Sequence, residues 1–173
     1  MTSTLTLPPT NPGSATVLDF EALYRSARDD LFAYVATLTG DRAAAEDVTA
    51  TAFERAYRRQ AAFDAARGSA RGWLFGIARN AALDELRKRK RRATLTHDPA
   101  DESGPDTALA AADRVDLRTA LLTLPVRDRE IIALRYHAGL DTAGVAEVLG
   151  TTTSNAGTLL HRAMTKLREA MNA

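Results

Sequence analysis

Three features of this 173-residue sequence predict an all-α protein made of two small helical domains. Apolar residues recur at helical spacing along most of the chain. At 45% apolar but only 6% aromatic, the composition suits modest cores rich in Ala and Leu rather than a large β core. Finally, residues 93–107 hold Pro99, Gly104, Pro105 and four acids with almost no large apolar side chain, which is the composition of a linker. The expected division is a disordered tail over 1–16, a first domain over 17–92, a flexible acidic linker over 93–107 and a second domain over 108–173.

The elements follow from their punctuation. Residues 1–16 are rich in Thr, Pro, Gly and Ser and carry no Lys or Arg, which excludes a signal peptide or membrane span and makes the expected location cytoplasmic. Asp19 can cap a helix whose stripe runs Phe20, Leu23, Tyr24, Ala27, Leu31, Tyr34, Val35, Leu38 until Gly40 stops it. Asp41 can cap the next, with Ala45, Val48, Ala52, Phe53 and Ala56 inward and Glu46, Asp47, Glu54, Arg55, Arg58 and Arg59 outward. Residues 63–72 contain two glycines and polar turn formers, so they read as a loop before a helix led by Trp73. That helix begins with Leu74, Ile77, Ala78 and Ala81 on one face, turns Arg79, Asn80, Asp84 and Arg87 elsewhere, and ends in six consecutive cations, Arg87 to Arg92. In the second domain, Asp106 or Thr107 can cap a fourth helix that ends at Leu124-Pro125. A fifth carries Ile131, Ile132 and Leu134 up to a turn at His137-Ala-Gly-Leu. Two more, Asp141 to Leu149 and Ser154 to Met171, are separated by Gly150 and three threonines.

Net charge is only +1, but the charge is divided along the chain. Residues 67–92 hold nine Lys/Arg against two acids, and 98–116 hold six acids against one Arg. A basic run alone fits a solvated helix end as well as it fits a nucleic-acid contact. The second signal is near the C-terminus. A helix-turn-helix needs a small residue where its helices cross, a turn residue able to adopt positive φ, and apolar residues that fix the second helix. Ala146, Gly150, and Val145, Leu149, Ala156 and Leu159 supply these in order. Thr153, Ser154, Asn155, Thr158 and His161 would then face outward as short polar groups able to meet base edges and phosphates, with Arg162, Lys166 and Arg168 following as backbone contacts or a solvated face.

These residues resemble the extracytoplasmic-function (ECF) sigma factors, small bacterial transcription initiation factors. Ala45-Glu-Asp-Val48 with Phe53 and Arg55-Ala56, then Trp73-Leu74, Ile77-Ala78-Arg79-Asn80 and Asp84 with Leu86-Arg87, are similar to that family's region 2. Leu124-Pro125, Arg129-Glu130, Leu134-Arg135-Tyr136, Gly139-Leu140, Val145-Ala146, Leu149-Gly150 and Leu160-His161-Arg162-Ala163 are similar to region 4. The resemblance implies that the first domain binds the beta-prime coiled coil of RNA polymerase core and the -10 promoter element. It implies that the second binds the beta flap and the -35 element, and that an anti-sigma factor holds the protein inactive.

The residues expected to meet the -10 region are Asp64, Arg67, Ser69, Arg71, Trp73, Arg79, Asn80, Asp84, Arg87 and Arg91. The loop 64–70 is the expected pocket for a flipped base, beside a helix able to hold the melted strand. Thr153, Ser154, Asn155, Thr158, His161, Arg162 and Lys166 are expected at the -35 region, and Glu46, Asp47, Thr51 and Glu54 on the polymerase. Two positions depart from the family pattern. Ala50-Thr51 stand where it usually has Gln-Glu, and Gly157 and Leu159 stand where Lys and Arg are common.

No catalytic role, metal or cofactor is expected. The chain has no cysteine, three scattered histidines and no acid cluster at ligand spacing. Adjacent Asp84 and Glu85 point to different sides of a helix and read as surface charge balance, not as a catalytic pair. The chain is expected to be a monomer. The competing reading is a stand-alone helix-turn-helix regulator with an N-terminal accessory module, and the Trp-led basic helix argues against it.

Overall fold

The computed structural model describes residues 18–96 and 112–172, and every element among them is helical. Helix α1 spans Phe20–Thr39. Asp19 caps it by accepting the Ala22 N–H at 3.0 Å, and Gly40 closes it at φ 69°. Helix α2, Arg42–Arg58, is capped by Asp41 through the Ala44 N–H at 2.9 Å. A single 3₁₀ turn, Gln60–Ala62, leads to the loop before helix α3, Ala70–Thr96. The stripes close on one another. Leu23, Leu31, Tyr34 and Leu38 of α1 meet Val48, Ala52 and Phe53 of α2 and Leu74, Phe75, Ala78 and Ala82 of α3.

Helix α3 differs from its expected bounds at both ends. It starts at Ala70 rather than Trp73, because Ser69 Oγ accepts the Gly72 N–H at 3.0 Å and acts as a cap inside the stretch assigned to a loop. It also runs on to Thr96, past the expected boundary at 92. No Gly or Pro interrupts 93–96, and Thr94 Oγ1 donates back to the Lys90 carbonyl at 2.8 Å. The first residues of the expected linker are therefore helical.

Helices α4 (Ala112–Thr123), α5 (Val126–Tyr136), α6 (Thr142–Leu149) and α7 (Thr153–Met171) form the second unit. The caps proposed at Asp106 or Thr107 lie outside the described residues. Pro125 breaks α4 from α5, Asp141 caps α6 through the Gly144 N–H at 2.8 Å, and Gly150 closes α6 at φ 63°. Helix α7 begins one residue earlier than expected, because Thr152 caps it through the Asn155 N–H at 3.2 Å.

The sequence leaves the placement of the two units open. In the structure they are packed together, with α5 against α1 and α6 against α3, and their buried residues form one continuous cluster. Thr37 of α1 lies 3.2 Å from the His137 ring at the end of α5, and a Cβ added at Gly40 would stand 3.0 Å from the Leu122 side chain.

His137 gives this contact a pH dependence. Burial holds the imidazole below its ordinary value of 6.5, opposed in part by the Asp30 carboxylate of α1, while Arg71 of α3 touches its carbonyl. Separating the units would restore the ordinary value, so the separated state binds the proton more readily. Closure is therefore favoured above that value and weakens as pH falls through it. Lowering pH from about 7.5 to about 5.5 is expected to increase the radius of gyration measured by small-angle scattering, and His137→Gln is expected to remove that step.

Candidate nucleic-acid and polymerase interfaces

Helix α3 presents different residues on different sides. Arg71, Phe75 and Arg79 recur every fourth position and so share a face, and that face is turned toward the second unit. Arg71 pairs with Asp30, donates to the carbonyls of Ser26 (3.2 Å), His137 (3.3 Å) and Ala138, and lies with its guanidinium 5.3 Å from the centre of the Phe75 ring. Arg79 Nε donates to Glu130 Oε1 at 2.6 Å, and the Glu130 side chain is only 4% exposed. Both arginines, expected at promoter DNA, are thus engaged within the chain.

The remaining face is open. Asn80, Arg87 and Arg91 are exposed, and Arg87 is paired with Asp84 at 2.9 Å. The terminal cations divide as helical geometry requires. Arg89 turns back to Asp41 (2.7 Å) and Glu85 (3.3 Å), Arg92 reaches Glu85 (3.3 Å), and Lys88, Lys90 and Arg91 lie exposed. Asp41 is held below the usual carboxylate range, first by the Ala44 N–H of its cap and next by Arg89, so one side chain starts α2 and also anchors the basic end of α3.

The loop before α3 is preordered by its own polar residues. Asp64 accepts the Ala66 N–H at 2.9 Å, Ser69 caps α3, and half-buried Trp73 packs against Phe63 with ring centres 5.5 Å apart. Arg67 is exposed. Glu147 of α6 lies over this loop so closely that a Cβ on Gly68 would fall 2.2 Å from its carboxylate.

On α2, Glu46, Asp47 and Glu54 are exposed, while Thr51 is partly buried and donates to the Asp47 carbonyl at 2.9 Å. Arg42 pairs with Glu46 (3.2 Å) and Arg58 with Glu54 (2.7 Å), so the surface is a mixed-charge face.

Helices α6 and α7 form the helix-turn-helix. Val145, Ala146 and Ala156 are buried at the crossing, with Leu149 and Leu159 packed beside them. Thr153, Ser154, Asn155, Thr158, His161 and Arg162 are exposed on α7, and Asn155 Nδ2 donates to Thr151 Oγ1 at 2.7 Å. Lys166 is exposed as well, and its ammonium sits 2.6 Å from Asp128 of α5. Gly157 does not interrupt the helix, and a Cβ there would meet Thr142 of α6 at 3.8 Å, on the protein side rather than the outward side.

Sequence reasoning missed Glu130, His137 and Asp30 as partners of the α3 arginines. One signal was present: Arg129-Glu130-Ile131-Ile132 places charges directly before apolar residues on a short helix, so some charge had to be buried.

A basic helix behind an ordered loop, packed beside a helix-turn-helix, defines a two-part DNA-binding transcription factor. Comparison with known proteins makes this specific. Residues 23–92 match the Sigma-70 region 2 family and residues 114–167 match Sigma-70, region 4. The ECF RNA polymerase sigma factor SigL of Mycobacterium tuberculosis is 35% identical over 151 residues, covering 85% of each chain. The ECF RNA polymerase sigma factor SigM of Bacillus subtilis is 26% identical over 159 residues, covering 90% of this chain and 96% of its own. Among solved structures, the sigma factor RpoE in complex with the anti-sigma factor NepR from Bartonella quintana superposes with a TM-score of 0.80 at 25% identity, over 90% of this chain and 98% of that one. CnrH in complex with the cytosolic domain of CnrY gives 0.66 at 25% identity, over 88% and 87%.

The chain belongs to the sigma-70 family, in its ECF group. It is an alternative sigma factor, a non-enzymatic subunit that directs transcription by RNA polymerase, and the stand-alone regulator reading has no support. Among the described residues no helix is long and apolar enough to cross a membrane.

Proposed function

We propose that the first unit holds the melted -10 element with Arg67, Asn80, Arg87 and Arg91, joined by Arg71 and Arg79 once the second unit moves away. Asp64, Ser69 and Trp73 shape the loop that receives a flipped base, and Asp84 orients Arg87. Helix α7 reads the -35 element through Thr153, Ser154, Asn155, Thr158, His161 and Arg162, whose exposure on one helix supports a major-groove contact. Lys166 serves that helix by anchoring it to α5. The α2 face of Glu46, Asp47, Thr51 and Glu54 docks on the beta-prime coiled coil, and the second unit docks on the beta flap. Because the similar sigma factor RpoE was solved with the anti-sigma factor NepR, and CnrH with the cytosolic domain of CnrY, an anti-sigma factor acting in the cytoplasm is the expected regulator of this monomer.

The observation that carries the reading is the pairing of a basic helix and ordered loop in one unit with a helix-turn-helix in the other. Run-off transcription with core polymerase tests it. The protein is expected to bind core and to produce one defined start site. Tight binding to duplex DNA alone, with neither core binding nor a start site, would overturn it.

A further inference from the structure

We propose that Asn155 selects one adenine in the -35 element through the major groove, and that Thr151 positions its amide for that task. The inference rests on the -35 reading of α7 given above and names the base that this reading takes.

Helix α7 carries no Lys or Arg before Arg162, so its first nine residues must meet base edges with neutral groups. Thr153, Ser154 and Thr158 offer hydroxyls, which can donate or accept and so discriminate weakly between bases. Thr158 already donates to the Ser154 carbonyl at 3.1 Å. Asn155 is the single amide among the nine, and it alone sets a donor and an acceptor side by side, the pair that matches N7 and N6 of adenine.

Its position is fixed from two directions. Thr152 Oγ1 accepts the Asn155 N–H at 3.2 Å and sets the backbone, while Asn155 Nδ2 donates to Thr151 Oγ1 at 2.7 Å and sets the amide plane. Thr151 is itself held by α6, because its N–H donates to the Ala146 carbonyl at 2.9 Å where Gly150 closes that helix. The first helix of the motif thus aims a side chain of the second. An amide nitrogen carries two hydrogens, so with one given to Thr151 the other remains beside Oδ1 for a base edge. Asn155 also lies in the first turn of α7, the part of a recognition helix that meets base edges. A fork held in place before DNA arrives loses less rotamer freedom on binding. Removing the Thr151 hydroxyl should therefore weaken the choice of base without changing which base is chosen.

The test uses the full chain with core polymerase on a duplex pool randomised through the -35 and -10 regions, with transcripts sequenced to score each base. The wild type is expected to favour adenine at one -35 position by about tenfold, and Asn155→Ala to level that position alone. Placing 7-deazaadenine there removes the N7 acceptor, which should lower wild-type initiation by about tenfold and leave Asn155→Ala unmoved. Thr151→Val should cut the adenine preference by about threefold at the same position, and Thr151→Ser should restore it, with core binding the same in every variant. Adenine preference kept by Asn155→Ala, or lost evenly over the whole -35 region, would sink the proposal while leaving the -35 reading in place. A wild type that initiates with no preference anywhere in the -35 region would remove both.

Discussion

Replacing Phe75 with alanine is expected to destabilise the protein by about 3–5 kcal/mol, enough to unfold much of a marginally stable domain. Phe75 is fully buried and meets Tyr34 edge to face, with ring centres 5.4 Å apart and an interplanar angle of 71°. It also lies under the Arg71 guanidinium, so its loss opens a cavity where α1, α3 and the interface between the units meet. The Tyr34 hydroxyl is buried there without a hydrogen-bond partner, within reach of the Glu130 and Arg79 charges. Urea unfolding followed by circular dichroism measures the change. A midpoint within error of the wild type would mean that α3 is held by its other contacts.

The second large effect is functional. Replacing Asn80 and Arg87 together with alanine is expected to reduce open-complex formation by about 10- to 100-fold, with core binding changed by less than about threefold. Both side chains are exposed, and Arg87 pairs with a half-exposed Asp84, so the fold should lose no more than about 0.5 kcal/mol. Permanganate footprinting of the melted strand, alongside a core-binding titration, separates the two steps. Equal loss of both would assign these residues to the helix rather than to the promoter.

Much of the fold was legible because its punctuation is local. Asp19, Asp41 and Asp141 precede apolar stripes and cap them, and Gly40 and Gly150 take the positive φ their positions require. The start of α3 is hidden because Ser69 lies among glycines that signal a loop, although its hydroxyl makes the cap. The end is hidden because a change of composition at Ala93 need not end a helix until a breaker arrives.

The candidate site was legible as a set of residues but not in its present state. Exposure of Asn80, Arg87, Thr153 to Asn155 and Arg162 follows from helical phase, which the sequence displays. The engagement of Arg79 by Glu130, and of Arg71 by the carbonyls beyond α5, joins positions 51, 66 and 67 residues apart. No periodicity encodes such pairs, and a backbone carbonyl acting as partner leaves no mark on residue type. The tether of Lys166 to Asp128 was hidden in the same way.

The Arg79–Glu130 pair also bears on how the two halves tolerate change. Each half of the chain carries its own apolar stripes, and their buried residues run together into one cluster. A carboxylate buried in one half and answered from the other ties them further. In the closed packing, the residue suited to position 130 therefore depends on the one at 79, so changes at the two positions should not add independently.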